Sequence, residues 1–334
     1  MNRYFLLVYF LLLSTFSFSQ KIKNNSIQSF VDKSIEFIEM NSIHTENVEN
    51  IKRELYNKSQ SLNSIDEIAP LYKEVFKQLN DYHGSLKYKG KTYGWQNPNA
   101  ATNLYLKDKI KTDKSTFSKV IDKKIGYIRI TGNNDFSFKK VDSLANDIVS
   151  HINNINSNKI KGWIIDLRLN TGGNMYPVLL GLKEFIGYNV IFGGFRNAQN
   201  EPTGNWEVNE GKLLIDGIVL DRKIDLDYPV KTDIPLVILT SCYTASAGEM
   251  IVISFIGRNN TFIVGEPTAN YTTAVQGFEI NDNGGINLST DYVVDRNLNV
   301  YKSNILPDFE VLGGDNLEGL KNDHKIIKAL ELLR

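Results

Sequence analysis

Between Ser26 and about Asn80 the apolar residues recur at steps of three and four: Phe30, Ile35 and Ile38; Val48, Ile51 and Leu55; Ile68, Leu71, Val75, Phe76 and Leu79. That spacing draws an apolar stripe along each of several helices, so residues 20–86 are expected to form a small N-terminal helical domain. Residues 87–118 are polar and carry Gly and Asn-Pro turn signals, which predicts a linker with one strand around 103–106. From 119 onward the pattern changes to alternating strands and helices. Strands are predicted at 124–130, 162–167, 235–239, 261–264 and 285–294, and helices at 138–153, 176–187, 247–256 and 317–333. Repeated strand-helix units of this kind predict an α/β core over 119–334, built on a mainly parallel sheet covered by helices. Residues 193–231 break the rhythm. They are rich in Asn, Gly, Asp and Glu around isolated Trp206 and Leu214, and read as an inserted strand or loop excursion.

The first residues change the picture of where the chain works. Arg3 is followed by an apolar run over 4–13 and then by Ser17-Phe18-Ser19, a small-x-small pattern. This predicts a signal peptide over 1–19, a mature N-terminus at Gln20 and a periplasmic or extracellular location. The run is short of the roughly 20 apolar residues that span a bilayer, so no integral membrane segment is expected after cleavage. Lysine plus arginine and aspartate plus glutamate number 38 each, which removes any global electrostatic reason to expect nucleic acid as a partner. Cys242 is the sole cysteine, so neither an intrachain disulfide nor a thiolate metal cluster is expected.

Two turns offer chemistry. In LTSCYTASAGEM an apolar strand passes through small polar residues into an apolar helix, with serines at 241 and 246. Ser246 immediately precedes the helix, so the amide of Ala247 is one of the unpaired first-turn donors that can hold an oxyanion. The competing assignment is a plain N-cap, the commonest role for serine at that position. In WIIDLRLNTGGN a strand runs into Gly172-Gly173, where paired glycines allow close backbone approach to a ligand or simply a turn needing positive φ.

The stretches KIGYIRITG, GWIIDLRLNTGG, VILTSCYTASAGEM, FIVGEPTANYTTAVQ and SNILPDFEV occur in the order and spacing of the tail-specific, or C-terminal processing, serine peptidases. The resemblance runs from about Ile125 to Val311. It implies a crotonase-like fold shared with Clp protease, cleavage of peptide or protein substrates by an activated serine, and no metal or organic cofactor. By match to the family's S-A-S-E, here S-A-G-E, the nucleophile is Ser246, with an oxyanion hole expected from Ala247 and from Gly172 or Gly173.

The chain also departs from that family. Where the better-known branch carries a basic lysine after GEPT, this sequence has Tyr271 or Thr272, while the following glutamine is matched by Gln276. Lys302 is a neighbouring lysine, but nothing in the sequence positions it. Among the four histidines, His83 in DYHGS resembles the D-x-H-[ST] stretch of the tricorn-like branch, in which histidine is the base, although Gly84 intervenes before Ser85. The orienting third group is not identified. Gln276 is a candidate, Asp81 is very close to His83 in sequence, and Glu249 and Glu266 read equally as structural. The stretch between His83 and Ile125 is too short for the PDZ domain that many relatives insert. Two functions therefore stand open: a serine endopeptidase using Ser246 and His83, or a catalytically silent module on the same fold that binds peptides or small apolar ligands.

Overall fold

The computed structural model describes residues 22–334, so the signal-peptide reading over 1–19 lies outside the described residues. Helices α1 (Asn25–Asn41), α2 (Val48–Ser59), α3 (Ile65–Ile68) and α4 (Tyr72–Gln78) follow the apolar stripes of the sequence. Asn24 starts α1 by accepting the Ser26 and Ile27 amides on its side chain, which satisfies donors that a helix start leaves orphaned. The buried face of α1, with Ile27, Phe30, Val31, Ile35 and Ile38, shares its apolar core with Leu86, Ile280, Ile286 and Leu288 from strands described below.

Residues 87–118, read from the sequence as a linker, are more structured than that. They contain most of the hairpin β1 (Ser85–Tyr88) and β2 (Lys91–Gly94), and then α5 (Leu104–Thr112). The strand expected around 103–106 is the start of that helix. Asn103 caps it by accepting the Leu106 amide at 3.1 Å, a local bond that outweighs the weak alternation of the segment.

The next elements are β3 (Phe117–Ile121), β4 (Ile125–Arg129), α6 (Val141–Asn153), β5 (Gly162–Asp166), α7 (Tyr176–Gly181) and α8 (Lys183–Ile186). The single helix expected over 176–187 is broken at Leu182, whose backbone leaves helical geometry. A meander follows in the segment read as an excursion: β6 (Val190–Arg196), β7 (Pro202–Asn209), β8 (Lys212–Ile215) and β9 (Ile218–Leu220). The chain ends through β10 (Leu236–Thr240), α9 (Ala247–Phe255), β11 (Thr261–Gly265), β12 (Thr273–Asn281), β13 (Gly284–Asp295), β14 (Val300–Tyr301), β15 (Phe309–Glu310) and α10 (His324–Leu332).

These strands make two sheets. One is six-stranded in the order β15-β11-β10-β5-β4-β3, parallel except for β3. Its central strands β4, β5 and β10 are buried at every residue, as expected of a parallel sheet covered on both faces. Successive residues alternate between the two faces. Trp163, Ile165 and Ile238 pack toward α6, α7 and α9, whereas Ile164, Val237 and Leu239 pack toward α10.

The other sheet is nine-stranded and antiparallel, in the order β2-β1-β13-β6-β7-β8-β9, with β12 and β14 also paired to β13. The expectation of a mainly parallel sheet therefore covers only the smaller of the two. Phe192, Trp206 and Val293 of the antiparallel sheet join the core cluster that holds α7 and α9. Every residue of α9 is buried, the signature of a helix enclosed all round, and its apolar sequence is explained by its place between the sheets.

Candidate active site

Ser246 stands at the end of the turn that links β10 to α9, with φ 51° and ψ −119°. A non-glycine residue held there costs on the order of 1–3 kcal/mol, so the surroundings must over-determine it. Ser241 supplies much of that restraint. It is fully buried, its Oγ donates to the Arg168 carbonyl at 2.7 Å and accepts from the Tyr243 amide, and its own amide donates to Thr244 Oγ1. Thr244 Oγ1 in turn donates to the Leu167 carbonyl, and the Ala245 amide to the Asn170 carbonyl. Of the two serines in this turn, 241 is a pin and 246 faces the cleft.

Arg168 anchors the other half of the floor. Its fully buried guanidinium meets Asp166, Asp315 and Asp323, each at 2.7 Å. Removing one partner from such a buried cluster costs about 3–5 kcal/mol, because the remaining charge cannot return to water.

His83 approaches from the antiparallel sheet. Asp81 bends the chain into place, its Oδ1 accepting the His83 amide at 3.1 Å and the Gly84 amide at 2.7 Å. Gly84, the residue that interrupts the D-x-H-[ST] pattern, is required by packing: a Cβ there would lie 2.5 Å from Asp81 Oδ2 and 2.6 Å from the Phe76 ring. The imidazole Nε2 then sits 3.1 Å from Ser246 Oγ.

A chain of hydroxyls fixes which nitrogen carries the proton. His83 Nδ1 lies 2.9 Å from Thr273 Oγ1, which lies 3.0 Å from Ser289 Oγ, which is 2.9 Å from Asp81 Oδ1. An ionised carboxylate only accepts, so Ser289 must donate to Asp81 and accept from Thr273. Thr273 must then accept from Nδ1–H. That leaves the Nε2 lone pair facing the Ser246 hydroxyl, the arrangement a general base needs. Burial lowers the His83 pKa from its ordinary 6.5 to about 4, against the opposing pull of Asp81, so the ring is neutral at neutral pH.

Tyr271, one of the two residues that fall where the better-known branch carries its lysine, meets the His83 ring edge to face with centroids 5.1 Å apart. Its position is set by Glu249, whose fully buried carboxylate accepts the amides of Ser246 (3.0 Å), Asn270 (3.0 Å) and Tyr271 (2.7 Å) and the Thr268 hydroxyl. Glu249 thus joins the serine turn to the loop beside the histidine. Burial pushes its pKa up to about 7, while these four donors pull it down.

Gly172 and Gly173 both have positive φ, 100° and 104°. The two differ in what their amides do. The Gly172 amide already donates to Asn170 Oδ1 at 3.1 Å, and its Cα backs onto Ser246, with a Cβ falling 2.8 Å from the serine Cβ. Among the described residues no hydrogen bond engages the amides of Gly173 or Ala247. Of the expected oxyanion donors, those two remain free. A Cβ on Gly173 would lie 1.7 Å from the Asn133 carbonyl oxygen, so no other residue fits that turn.

Gln276 is not brought to the site. It lies exposed on β12, and the place beside Nδ1 belongs to Thr273, three residues earlier. Lys302 does not line the cleft, and its ammonium lies over the Tyr292 ring at 4.9 Å. Thr273 and Ser289 were not identified from the sequence. The available signal was a polar Ser-Thr-Asp run between the apolar residues Leu288 and Tyr292–Val294 of β13.

Ser246, His83, Gly173 and Tyr271 line one open cleft of about 1640 Å³, also bordered by Phe136, Phe138 and by Ala274, Val275 and Gly277 of β12. Among the described residues no cluster of three His, Cys, Asp or Glu side chains is arranged to hold a metal ion, and no helix is long and apolar enough to cross a membrane.

Residues 124–311, more than half of the chain, match the model of peptidase family S41. A nisin-resistance protein of Lactococcus lactis subsp. lactis is 29% identical over 174 residues, covering 51% of this chain and 52% of that protein. The carboxy-terminal processing protease CtpA of Bacillus subtilis (strain 168) is 24% identical over 237 residues, covering 65% of this chain and 45% of its own length. The chain thus spans about half the length of the curated relatives it matches. The solved structure of a lipoprotein from Streptococcus agalactiae superposes with a TM-score of 0.65 at 22% identity, covering 87% of this chain and 94% of that one, which shows a shared fold.

Proposed function

From the premise that this chain belongs to peptidase family S41, we propose that it is an exported serine endopeptidase in which Ser246 attacks the peptide carbonyl and His83 takes its proton. The observation that carries this reading is the 3.1 Å approach of a neutral imidazole, with its lone pair directed at the hydroxyl of a strained serine. Attack transfers the Ser246 proton to His83 Nε2 and forms a tetrahedral oxyanion facing the free amides of Gly173 and Ala247. The imidazolium then protonates the departing amine, leaving an acyl-Ser246 ester. His83 next deprotonates a water, which hydrolyses the ester and restores the serine. Asp81 stabilises the transient positive ring through Ser289 and Thr273, and the same chain keeps the ring from rotating.

The family supports peptides or proteins as substrates, and the similarity to a nisin-resistance protein adds peptide antibiotics to those worth testing. Export rests on the apolar run over 4–13 with its Ser17-Phe18-Ser19 boundary, and finding Gln20 by N-terminal sequencing of the secreted protein would support it. The decisive test of chemistry is a fluorophosphonate probe. Labelling of Ser246 that vanishes in His83→Ala supports the peptidase. A wild-type protein that takes no label and cuts no peptide is the silent binding module instead.

A further inference from the structure

The His83 imidazole lines an open cleft, where water competes for its ring. Its two nitrogens are taken by Ser246 and Thr273. The ring itself is met by Tyr271, with the two planes 84° apart. Tyr271 is backed in turn by Tyr82, centroids 5.2 Å apart, and Tyr82 by Trp95, directly after β2, at 5.8 Å. Three aromatic rings thus form a continuous row that ends on the base. The backbone under Tyr271 is held at four successive residues. The amides of Thr268 and Ala269 donate to the carbonyls of Ile305 at 3.1 Å and Thr244 at 2.9 Å, and those of Asn270 and Tyr271 to the two oxygens of Glu249. Thr244 belongs to the serine turn and Glu249 to the first turn of α9, so Tyr271 is carried on the element that carries Ser246.

Resting on the peptidase reading, we propose that Tyr271 is a positioning residue for the base: a fixed aromatic cover that keeps water from the His83 imidazole and holds the ring toward Ser246. The phenol is not itself a proton acceptor, because burial raises its pKa above the ordinary 10. An imidazole deprived of water gains charge less readily, which agrees with the lowering of His83 to about 4 by burial. The other groups around the ring cannot produce that lowering. Asp81, on the same turn, favours the charged ring, β12 and β13 bring the uncharged hydroxyls of Thr273 and Ser289, and Tyr82 is neutral, its own pKa pushed up to about 12 by burial. Glu249 on α9, when ionised, would likewise favour the charged ring. His44 lies in the field of Asp81, and burial lowers its pKa too.

Glu249 titrates at about 7, so activity alone would mix two groups. The test therefore reads His83 directly, by NMR titration of the full chain carrying isotope-labelled histidine, with His83→Ala identifying its signal among the four histidines. The wild-type midpoint is expected near pH 4. Tyr271→Ala is expected to raise it by about one pH unit or more, and the acid limb of the fluorophosphonate labelling rate should move with it. Tyr271→Phe keeps the ring and is expected to restore the wild-type midpoint. Tyr82→Ala removes only the backing ring, should shift the midpoint the same way by less, and decides the matter if Tyr271→Ala does not fold. An unmoved midpoint in the folded alanine variant overturns the cover, and so does a phenylalanine variant that shifts as far as alanine. Absence of labelling in the wild type overturns the peptidase reading instead, and the NMR midpoints still decide for or against the cover.

Discussion

The parallel six-stranded sheet carries Ser246 and the paired glycines, whereas the antiparallel nine-stranded sheet and the turn before β1 carry His83, Thr273, Ser289 and Asp81. Each contributes what its geometry makes easily. Parallel strands end together in loops that feed helix starts, and that edge supplies free amides and a serine on a tight turn. In the antiparallel sheet Thr273 pairs with Tyr292 and Ser289 with Val275, and across the register shift between Ala274 and Val275 the two hydroxyls meet at 3.0 Å, within a relay running from a buried carboxylate to an imidazole. The proposed nucleophile and oxyanion donors therefore come from backbone turns, and the base and its orientation from cross-strand side chains.

Breaking the contact between the two sheets should have the largest effect. His83→Ala is expected to lower turnover by about 10²–10⁴-fold, the usual loss on removing a general base, with Ser246 labelling reduced in parallel. A fall of less than tenfold in peptide hydrolysis would reassign the base. On the parallel side alone, Gly173→Val is expected to cost roughly 10²–10³-fold in kcat, as for an oxyanion donor, and to lower the melting temperature because its Cβ meets the Asn133 carbonyl. Equal labelling of this variant and the wild type, with normal turnover, would remove Gly173 from the hole.

On the antiparallel side, Thr273→Val breaks the relay without removing a charge. It is expected to lower kcat by about tenfold, the effect of a lost hydrogen bond to a charged transition state, and Thr273→Ser should recover most of it. A change confined to KM, or no rescue by serine, would make Thr273 merely structural. The pH profile sharpens the same point. With His83 held at about 4, the acid limb of kcat/KM is expected near pH 4 and not near 6.5.

Glu249 ties the serine turn to the 268–271 loop, and its raised pKa has the opposite sense for stability. A carboxyl with folded pKa about 7 and ordinary value 4.5 contributes fully below 4.5 and loses that contribution as pH rises through 7. Thermal melts from pH 5 to 8 should show the wild type losing several degrees relative to Glu249→Gln, and parallel curves would reject this. The smallest effect is expected for Gln276→Ala, whose turnover should stay within about twofold because an exposed side chain away from a site is usually silent.

Much of the parallel sheet was legible in the chain. Strands β4, β5 and β10 are continuous apolar runs, and the turns after β5 and β10 announce themselves by Gly172-Gly173 and by a serine before an apolar helix. Each of these turns follows directly on its strand in the chain, where local backbone preference and burial decide the outcome. The antiparallel sheet was harder to read. Strands β1 and β2 have four residues each, and β12 is polar and largely exposed over its nine, so no apolar period separates them from loop, and the segment expected as a strand around 103–106 is the capped start of α5.

At the site the same division holds. Ser246 as expected nucleophile and His83 as expected base were both named by resemblance to short family motifs, each of which lies in one continuous stretch of chain. The 3.1 Å bond between them joins residues 163 positions apart, and the relay through Thr273 and Ser289 closes back on Asp81 over 208. The release of Gly172 from the oxyanion role and the exclusion of Gln276 depend on which groups are already bonded or exposed. Those outcomes belong to tertiary structure for a physical reason: a hydrogen bond is won or lost within a few tenths of an ångström, and only the packing of two sheets against α9 sets distances that finely.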